Sequence, residues 1–186
     1  QKLPVGVIDC KTILLEHTLL PYLTRFFSGD KKAQALDSLM KGSPAESLYF
    51  VSNEWQGLQY CPICYGEDSQ RYGEPYWHRE HQISLMPLCP KHKCRLLRYE
   101  ASHQTIKSKL IPLCSIQCEN TDLIVEKWET QLTDILNTFL TLPYHVCMSD
   151  QYSNLRNALI NAGFGSSTIH KNYDVVDARK VEQAVK

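Results

Sequence analysis

The chain has 186 residues, of which 43% are hydrophobic and 22% are charged, and its formal net charge at pH 7 is zero. This composition excludes a wholly disordered protein, and no apolar run reaches the roughly 18 to 20 residues that span a bilayer. A neutral chain also lacks an overall basic field, so any contact with nucleic acid has to come from a local patch.

The N-terminal sequence QKLPVGVIDC lacks the regions of a secretory signal, which predicts a cytoplasmic protein with no membrane partner. The chain begins with Gln and ends in a helical-looking segment without a stop signal, so we expect a fragment of something longer. Its eight cysteines are too few and too unevenly spread for a disulfide scaffold. In a reducing compartment, clustered cysteines more often bind metal.

Residues 11–42 predict two helices that need a partner to pack against. Apolar residues recur at near-helical spacing in residues 11–27, and Pro21 predicts a break or restart because proline removes a backbone donor. In the second helix, Asp30 is the predicted N-cap and Gly42 is the residue that ends the helix.

The helical period fades from Ser43 to about Pro112, where Pro, Gly, Cys and His punctuate the chain, as expected when a metal replaces part of a hydrophobic core. A helix is predicted again over residues 121–140, capped by Asn120 or Thr121 and followed by Pro143. Its predicted apolar face consists of Leu123, Ile124, Trp128, Leu132, Ile135, Leu136 and Phe139.

Two more helices are predicted at the C-terminal end. Ser149 or Asp150 caps the first, Leu155 faces inward and Gly163 ends it, and the second covers residues 172–185. The sequence therefore predicts a mainly α fold, in which helical segments flank a small zinc-finger or zinc-ribbon-like module. The predicted divisions are an N-terminal helical segment (1–45), a zinc-binding module (46–115) and a C-terminal helical segment (116–186) that we expect to be truncated.

Two short motifs in the central segment share one pattern. Cys61-Pro62-Ile63-Cys64 and Cys89-Pro90-Lys91-His92 each place two ligands two residues apart, so that both side chains of a tight turn can point at one ion. Two such knuckles supply the four ligands that tetrahedral zinc prefers. The pattern predicts one structural Zn2+ bound by Cys61, Cys64, Cys89 and His92; the alternative is a set of buried thiols with a surface histidine.

Other residues compete for a metal. Cys94, His81 and His78 are alternatives for the fourth ligand position, although Cys94 would have to reach around the turn that begins at Cys89. Cys114 and Cys118 have the spacing of a second metal site, but equally that of two buried thiols on one helical turn.

No catalytic pattern is present in the sequence. A site closed by four protein ligands has no position for water or substrate, which predicts a structural ion and a protein that is not an enzyme. The sequence HREH at residues 78–81 matches neither His-Glu-x-x-His nor its inverse, and Glu80 is predicted to be a solvated carboxylate.

Cations and aromatic residues alternate between and after the knuckles. Such a pattern can hold a phosphate backbone or stack on bases; alternatively, the aromatic residues form the small core beside the zinc and the cations lie at its wet rim. The candidate DNA-binding residues are Arg71, Trp77, His78, Arg79, Lys91, Lys93 and Arg95.

The central segment as a whole resembles the TniQ family, the target-selection proteins of bacterial cut-and-paste transposons. The resemblance rests on the Cys-Pro-x-Cys knuckle, on Gly73, Glu74, Trp77 and Arg79 in YGEPYWHRE, and on HQ and CPKH followed by Leu96. LLEHTLLPYLTRFF upstream and LRNALINAGF downstream are more similar to the TnsD branch of the family.

This resemblance implies a non-catalytic protein that docks on double-stranded DNA at an attachment site and recruits an AAA+ ATPase, the regulator that licenses the transposase. It carries the metal ligands over as Cys61, Cys64, Cys89 and His92. The family commonly has Gly after the final His, where this chain has Lys93, so we expect a less tight final turn. The alternative is an interaction module that contacts only the ATPase, through the helix at 121–140 and the zinc segment.

Overall fold

A computed structural model describes residues 8–43, 57–100, 111–118, 124–168, 171–177, 179–180 and 183, without the side chains of 166–168 and 171–175. The described residues confirm the mainly α architecture. The helices are α1 (Cys10–Glu16), α2 (Leu20–Leu23), α3 (Gly29–Met40), α4 (Pro62–Tyr72), α5 (Lys127–Thr141) and α6 (Ser149–Leu159). The strands are β1 (Leu58–Tyr60), β2 (Leu97–Tyr99), β3 (Gly165–Thr168) and β4 (Lys171–Val176).

The N-terminal helices begin and end largely where the sequence predicts, with one correction. Helix α1 ends before Pro21, which lies in the first turn of α2, where its missing donor costs nothing. The N-cap of α3 is Ser28 and not Asp30, which lies in the first turn, where its charge favours the helix dipole. Gly42, with φ of 72°, follows the end of α3 as predicted.

The central segment contains regular structure that its sequence did not reveal. Strands β1 and β2 pair antiparallel, with Tyr60 opposite Leu97. Helix α4 starts directly after β1, with Cys61 as its N-cap, and ends at Gly73, whose φ of 87° suits only glycine without strain. The buried residues of this helix are Cys64 and Asp68, not an apolar stripe, so its sequence shows no clear apolar period.

Helix α5 buries a narrower apolar face than its sequence predicts. Its N-cap is Glu126, in a reciprocal capping box with Glu129, while the predicted caps Asn120 and Thr121 lie outside the described residues. Trp128 and Ile135 are 55% and 51% exposed, so their assignment to the buried face is wrong. The buried core instead joins α5 to the metal segment and α2; it consists of Ile83, Met86, Leu136 and Leu140, with Leu19, Tyr22, Leu96, Leu132 and Phe139 packed around it.

Two buried cations hold the segment that follows α5. Arg25 is fully buried, and its guanidinium donates to the carbonyls of Phe139, Leu142, Pro143 and Val146 at 2.7–3.1 Å. Phe139 and Leu142 lie at the end of α5, where carbonyls have no partner within the helix, so the guanidinium satisfies acceptors that the helix end would otherwise leave unpaired. The other two carbonyls belong to the segment after the helix. The ammonium of Lys32, also buried, donates to the carbonyls of Tyr144 and Val146.

The C-terminal segment departs from its prediction. The N-cap of α6 is Met148 and not the predicted Ser149 or Asp150, which are the first two residues of the helix. The helix is followed by one wider turn (Ile160–Phe164) that contains Gly163 with φ of 92°. Leu155 is 60% exposed, so its inward assignment is wrong. The predicted helix at 172–185 is also wrong in its first part, because Lys171–Val176 is a strand paired with β3. A sequence ending in two β-branched valines favours the extended pairing.

Candidate metal centre

The two knuckles meet at one point in the structure. Cys61 caps α4 and Cys64 lies in its first turn, while Cys89 and His92 belong to the turn that leads to β2. The four ligand atoms of Cys61, Cys64, Cys89 and His92 all lie within 4.8 Å of one another. The three cysteines are buried and His92 is partly buried. Two local turns far apart in sequence therefore form a single four-donor cluster.

The distances within this cluster fit a tetrahedral ion. His92 Nδ1 lies 3.4 Å from Cys61 Sγ, 3.3 Å from Cys64 Sγ and 3.7 Å from Cys89 Sγ. The sulfurs of Cys64 and Cys89 are 3.7 Å apart. Zinc–sulfur bonds of about 2.3 Å in a tetrahedron place sulfurs about 3.8 Å apart. The spacing and the donor set therefore fit one metal ion held by three sulfurs and one nitrogen.

The pKa shifts of the cysteines also favour a bound cation. Hydrogen bonding from Cys64 holds the pKa of Cys61 well below its usual value, and the same contact raises the pKa of Cys64. The buried sulfurs cannot all become thiolates while they face only one another, because each new negative charge opposes the next. A divalent cation removes this conflict by replacing the shared protons.

Backbone donors shape the two turns around the sulfurs. The amide of Cys64 points at Cys61 Sγ and the amide of His92 at Cys89 Sγ, both at 3.4 Å. In the second turn, the amide of Lys93 donates to the carbonyl of Cys89 at 2.9 Å, and Lys93 has φ of 52°. Lys93 therefore adopts the left-handed conformation that glycine adopts more easily. A hydrogen bond therefore closes this turn in the presence of Lys93, and whether it is less tight than a turn with glycine stays a prediction.

Cys94, a predicted competitor for the fourth position, lies beside the cluster and not in it. Its Sγ is 3.3 Å from Cys61 Sγ, yet it does not belong to the four-donor group. Its carbonyl accepts from the amide of Cys89 at 2.8 Å, which fixes its backbone. Burial raises the pKa of Cys94 to about 12, so the side chain is a neutral thiol next to a ligand.

The outer nitrogen of His92 faces a carboxylate. His92 Nε2 lies 3.2 Å from Glu67 Oε1, and the other oxygen of Glu67 accepts from Lys91. Such a carboxylate orients a ligating imidazole so that Nδ1 faces the metal. The hydrogen bond from Lys91, followed by that from His92, holds the pKa of Glu67 below its usual value.

His78 and His81, the other two candidates for the fourth position, do not belong to the four-donor group. His78 Nε2 lies 2.7 Å from Asp68 Oδ2, His78 Nδ1 lies 3.3 Å from Glu80 Oε1, and Tyr76 stacks on the ring. Burial lowers the pKa of His78, but the bonds with Glu80 and Asp68 outweigh burial and raise it to about 9. The bond with His78 lowers the pKa of Glu80 to about 2, so Glu80 is not simply solvated. His81 is buried against His78.

Most of the candidate DNA-binding cations have partners within the chain. Lys91 pairs with Glu67, Lys93 with Asp134 at 2.5 Å, and Arg95 with Glu129 through both guanidinium nitrogens. These acidic partners belong to no motif, so no pattern in the sequence identifies them. Lys91, Lys93 and Arg95 are therefore already paired with carboxylates of the chain.

The other candidates are placed differently. Arg79 donates to the carbonyls of Leu15 and Thr18 at 2.8 and 3.4 Å, which attaches α1 to the central segment. Trp77 donates from Nε1 to Ile111 O at 2.7 Å and packs against Tyr60 and Tyr99. Arg71 is exposed and lies over the ring of Tyr72.

The predicted second site has no support in the described part of the chain. Cys114 and Cys118 are exposed, and neither belongs to a group of possible metal ligands there.

Among the residues that the structure describes, no helix has the length and apolar character needed to cross a membrane.

The segment that contains this site is similar to known proteins. Residues 8–96 match the model of the TniQ family, and this range contains all four donors of the cluster. The chain is also 30% identical over 97 residues to the transposon Tn7 transposition protein TnsD of Escherichia coli. That alignment covers 47% of this chain and 18% of the length of TnsD.

Proposed function

We propose, because residues 8–96 match the model of the TniQ family, that this chain is part of a non-catalytic protein that selects the target site of a transposon. In this proposal the protein binds attachment-site DNA, recruits an AAA+ ATPase and uses one zinc ion as the centre of its scaffold. The observation that carries the proposal is that the three-cysteine, one-histidine cluster lies inside the matched segment.

The proposed metal is zinc, and its proposed role is structural. Three thiolates and one imidazole are the donors that zinc accepts in closed sites, whereas calcium and magnesium take oxygen ligands. Cys61, Cys64, Cys89 and His92 would hold the ion, and Glu67 would orient His92 from outside. Four protein ligands leave no position for water, so the ion would supply folding energy and not chemistry.

The proposed contact with DNA uses the outward cations of the zinc segment, namely Arg71, Lys91 and Lys93. A phosphate approaching Lys91 or Lys93 has to compete with Glu67 or Asp134, which are both on the surface. Exposed ion pairs of this kind are worth less than about 1 kcal/mol, so a phosphate can replace them at small cost. Because few phosphates can be neutralised by so local a patch, we expect weak binding by this chain alone.

The alternative is a module that contacts only the ATPase. Its specific support is that Arg79 and Arg95 are committed to the fold, and that Lys91 and Lys93 have carboxylate partners on the surface. Paired charges of both signs are typical of a protein-facing surface as much as of a phosphate-binding one.

The two functions are separated by charge reversal in the full-length protein. Arg79→Glu is unsuitable because it removes the donor to the carbonyls of α1. The double variant Arg71→Glu and Lys93→Glu changes side chains whose partners, Tyr72 and Asp134, lie outside the metal centre. The matched control is Lys41→Glu, which breaks an exposed pair outside the segment. DNA binding is measured by gel shift across a salt series, and ATPase recruitment by pull-down.

We expect the double variant to weaken DNA binding on all sequences and to reduce the salt dependence, with Lys41→Glu unchanged. Normal DNA binding together with loss of the ATPase would support the interaction module and overturn the DNA role of this segment. If protein purified under reducing conditions contains no metal by elemental analysis, the proposed zinc scaffold is contradicted.

A further inference from the structure

A fifth buried donor lies next to the four-donor cluster. Cys94 Sγ is 3.3 Å from Cys61 Sγ, which is closer than the 3.7 Å between the sulfurs of Cys64 and Cys89. Cys61 and Cys94 are both almost completely buried, and with Cys64 and Cys89 they form one packed cluster. Because four donors complete a tetrahedral site, the thiol of Cys94 is free to react without being a ligand itself.

We propose that Cys61 and Cys94 are an oxidation-sensitive pair: peroxide joins them in a disulfide and thereby withdraws Cys61 from the metal centre. The inference rests on the proposed metal centre and adds a modification site to it. The ion would then be bound under reducing conditions and released when peroxide is present.

The backbone already brings the two cysteines together. Cys61 directly follows β1, and Cys94 lies three residues before β2, whose first residue Leu97 pairs with Tyr60 at the end of β1. A ladder continued in this register would place Leu96 opposite Cys61, so Cys94 is a diagonal neighbour of Cys61. The two sulfurs nevertheless lie 3.3 Å apart, and closing this gap to the ~2.0 Å of an S–S bond would form the disulfide.

Cys61 is the member of the pair suited to react first. It caps the 11-residue helix α4, and the amide of Cys64 points at its sulfur at 3.4 Å. A cysteine that ligates a metal is bound as the thiolate, which is also the nucleophilic form of cysteine. The neighbouring Cys94 then serves as the resolving thiol.

The reaction is balanced with peroxide as the oxidant. The Cys61 thiolate attacks one peroxide oxygen, an S–O bond forms, the O–O bond breaks, and hydroxide leaves. The Cys94 sulfur then attacks Cys61 Sγ, the S–S bond forms and the S–O bond breaks. The oxygen departs as water with the proton of Cys94, and a solvent proton converts the first hydroxide to water. The sulfurs lose two electrons in total, and one hydrogen peroxide becomes two waters.

The test uses the zinc-loaded chain and hydrogen peroxide. Metal release is followed with a chromogenic chelator, and disulfides are mapped by mass spectrometry of peptides. We expect release of the ion together with a Cys61–Cys94 disulfide, and recovery of binding after reduction and addition of zinc. The Cys94→Ser variant should hold zinc in its reduced form but form no disulfide at Cys61 with residue 94, and its release should not be reversed by reduction.

The matched control is Cys147→Ser, which removes a partly exposed thiol outside the centre and should behave as the wild type. A disulfide between Cys64 and Cys89, or release with no disulfide at all, would overturn the inference. So would loss of zinc from reduced Cys94→Ser, because Cys94 would then be a ligand. A reduced wild-type chain without metal contradicts the proposed centre, while the disulfide map decides the Cys61–Cys94 pairing in either case.

Discussion

Arg95 and Glu129 form an ion pair with two hydrogen bonds. This pair connects helix α5 to the metal turn, the segment from Cys89 to Arg95. Arg95 Nη2 lies 2.9 Å from Glu129 Oε2, Nη1 contacts the other carboxylate oxygen, and the amide of Glu126 donates to Glu129 at 2.9 Å. The Glu129 side chain is 3% exposed, whereas that of Arg95 is 41% exposed. The buried carboxylate therefore depends on Arg95 for its neutralising charge, and the metal turn and α5 should be stable or unstable together.

We predict that Glu129→Gln lowers the free energy of unfolding by about 1–3 kcal/mol, because it removes the charge-assisted bonds from Arg95 and one acceptor of the capping box. Chemical denaturation with zinc present measures the change. The control is Asp134→Asn, which breaks the exposed pair with Lys93 and should cost less than about 1 kcal/mol. Equal costs for the two variants would show that the burial of Glu129 does not matter.

Lys32 and Lys31 are neighbours in α3 with opposite environments. Lys32 is buried and donates to two carbonyls, whereas Lys31 is exposed. We predict that Lys32→Met lowers the free energy of unfolding by about 2–4 kcal/mol, because the acceptors at Tyr144 and Val146 lose a charged donor. The change is measured by urea denaturation. Lys31→Met should be nearly neutral, and a similar loss in both variants would contradict this interpretation.

The His78 cluster predicts a dependence of stability on pH. The folded-state pKa of His78 is raised to about 9 against burial by Glu80 and Asp68, so folding favours the protonated ring. The resulting stability is fully present below the unfolded pKa of about 6.5 and is lost as pH rises through about 9. We predict that the free energy of unfolding falls by up to about 3 kcal/mol over this range, and that His78→Gln removes the fall.

Thermal unfolding in a pH series measures this effect, and the difference between wild type and variant cancels other titrating groups. The control is the exposed His17, whose substitution by Gln should leave the fall intact. Parallel curves for wild type and His78→Gln would show that the ion pairs around His78 do not contribute to stability.

Removal of one ligand should release the metal. We predict that His92→Ala or Cys64→Ser loses zinc and the local structure together, because a closed site with three donors binds far more weakly. Elemental analysis and native mass spectrometry measure the metal content. Cys114→Ser changes an exposed cysteine outside the cluster and should retain one zinc per chain. Retention of zinc by His92→Ala together with its loss from Cys94→Ser would move the fourth ligand to Cys94.

Lys93 carries the backbone conformation of a glycine. We predict that Lys93→Gly is more stable than Lys93→Ala by about 1 kcal/mol, because both variants lose the pair with Asp134 and only glycine avoids the left-handed strain. Thermal unfolding of the two zinc-loaded variants measures the difference. If alanine is as stable as glycine, the turn does not require the left-handed conformation in solution.

The sequence by itself determined the parts of this protein that depend on local chemistry. The four candidate donors follow from two-residue spacing, because a tight turn can direct Cys61 and Cys64, or Cys89 and His92, at one point wherever the turn lies. The helix break at Pro21 follows from the geometry of a single residue. These patterns involve neighbours along the chain, so they can be recognised before the fold is known.

Only the tertiary structure decided which cations remain available and which apolar residues are buried. Arg79 and Arg95 look like phosphate ligands in sequence, but the fold assigns them to backbone carbonyls and to Glu129. Helix α5 buries Leu136 and leaves Trp128 exposed, although both lie on its predicted apolar face. The reason is that a partner distant in sequence leaves no periodic signal, and that the width of a buried face is set by the elements packed against it.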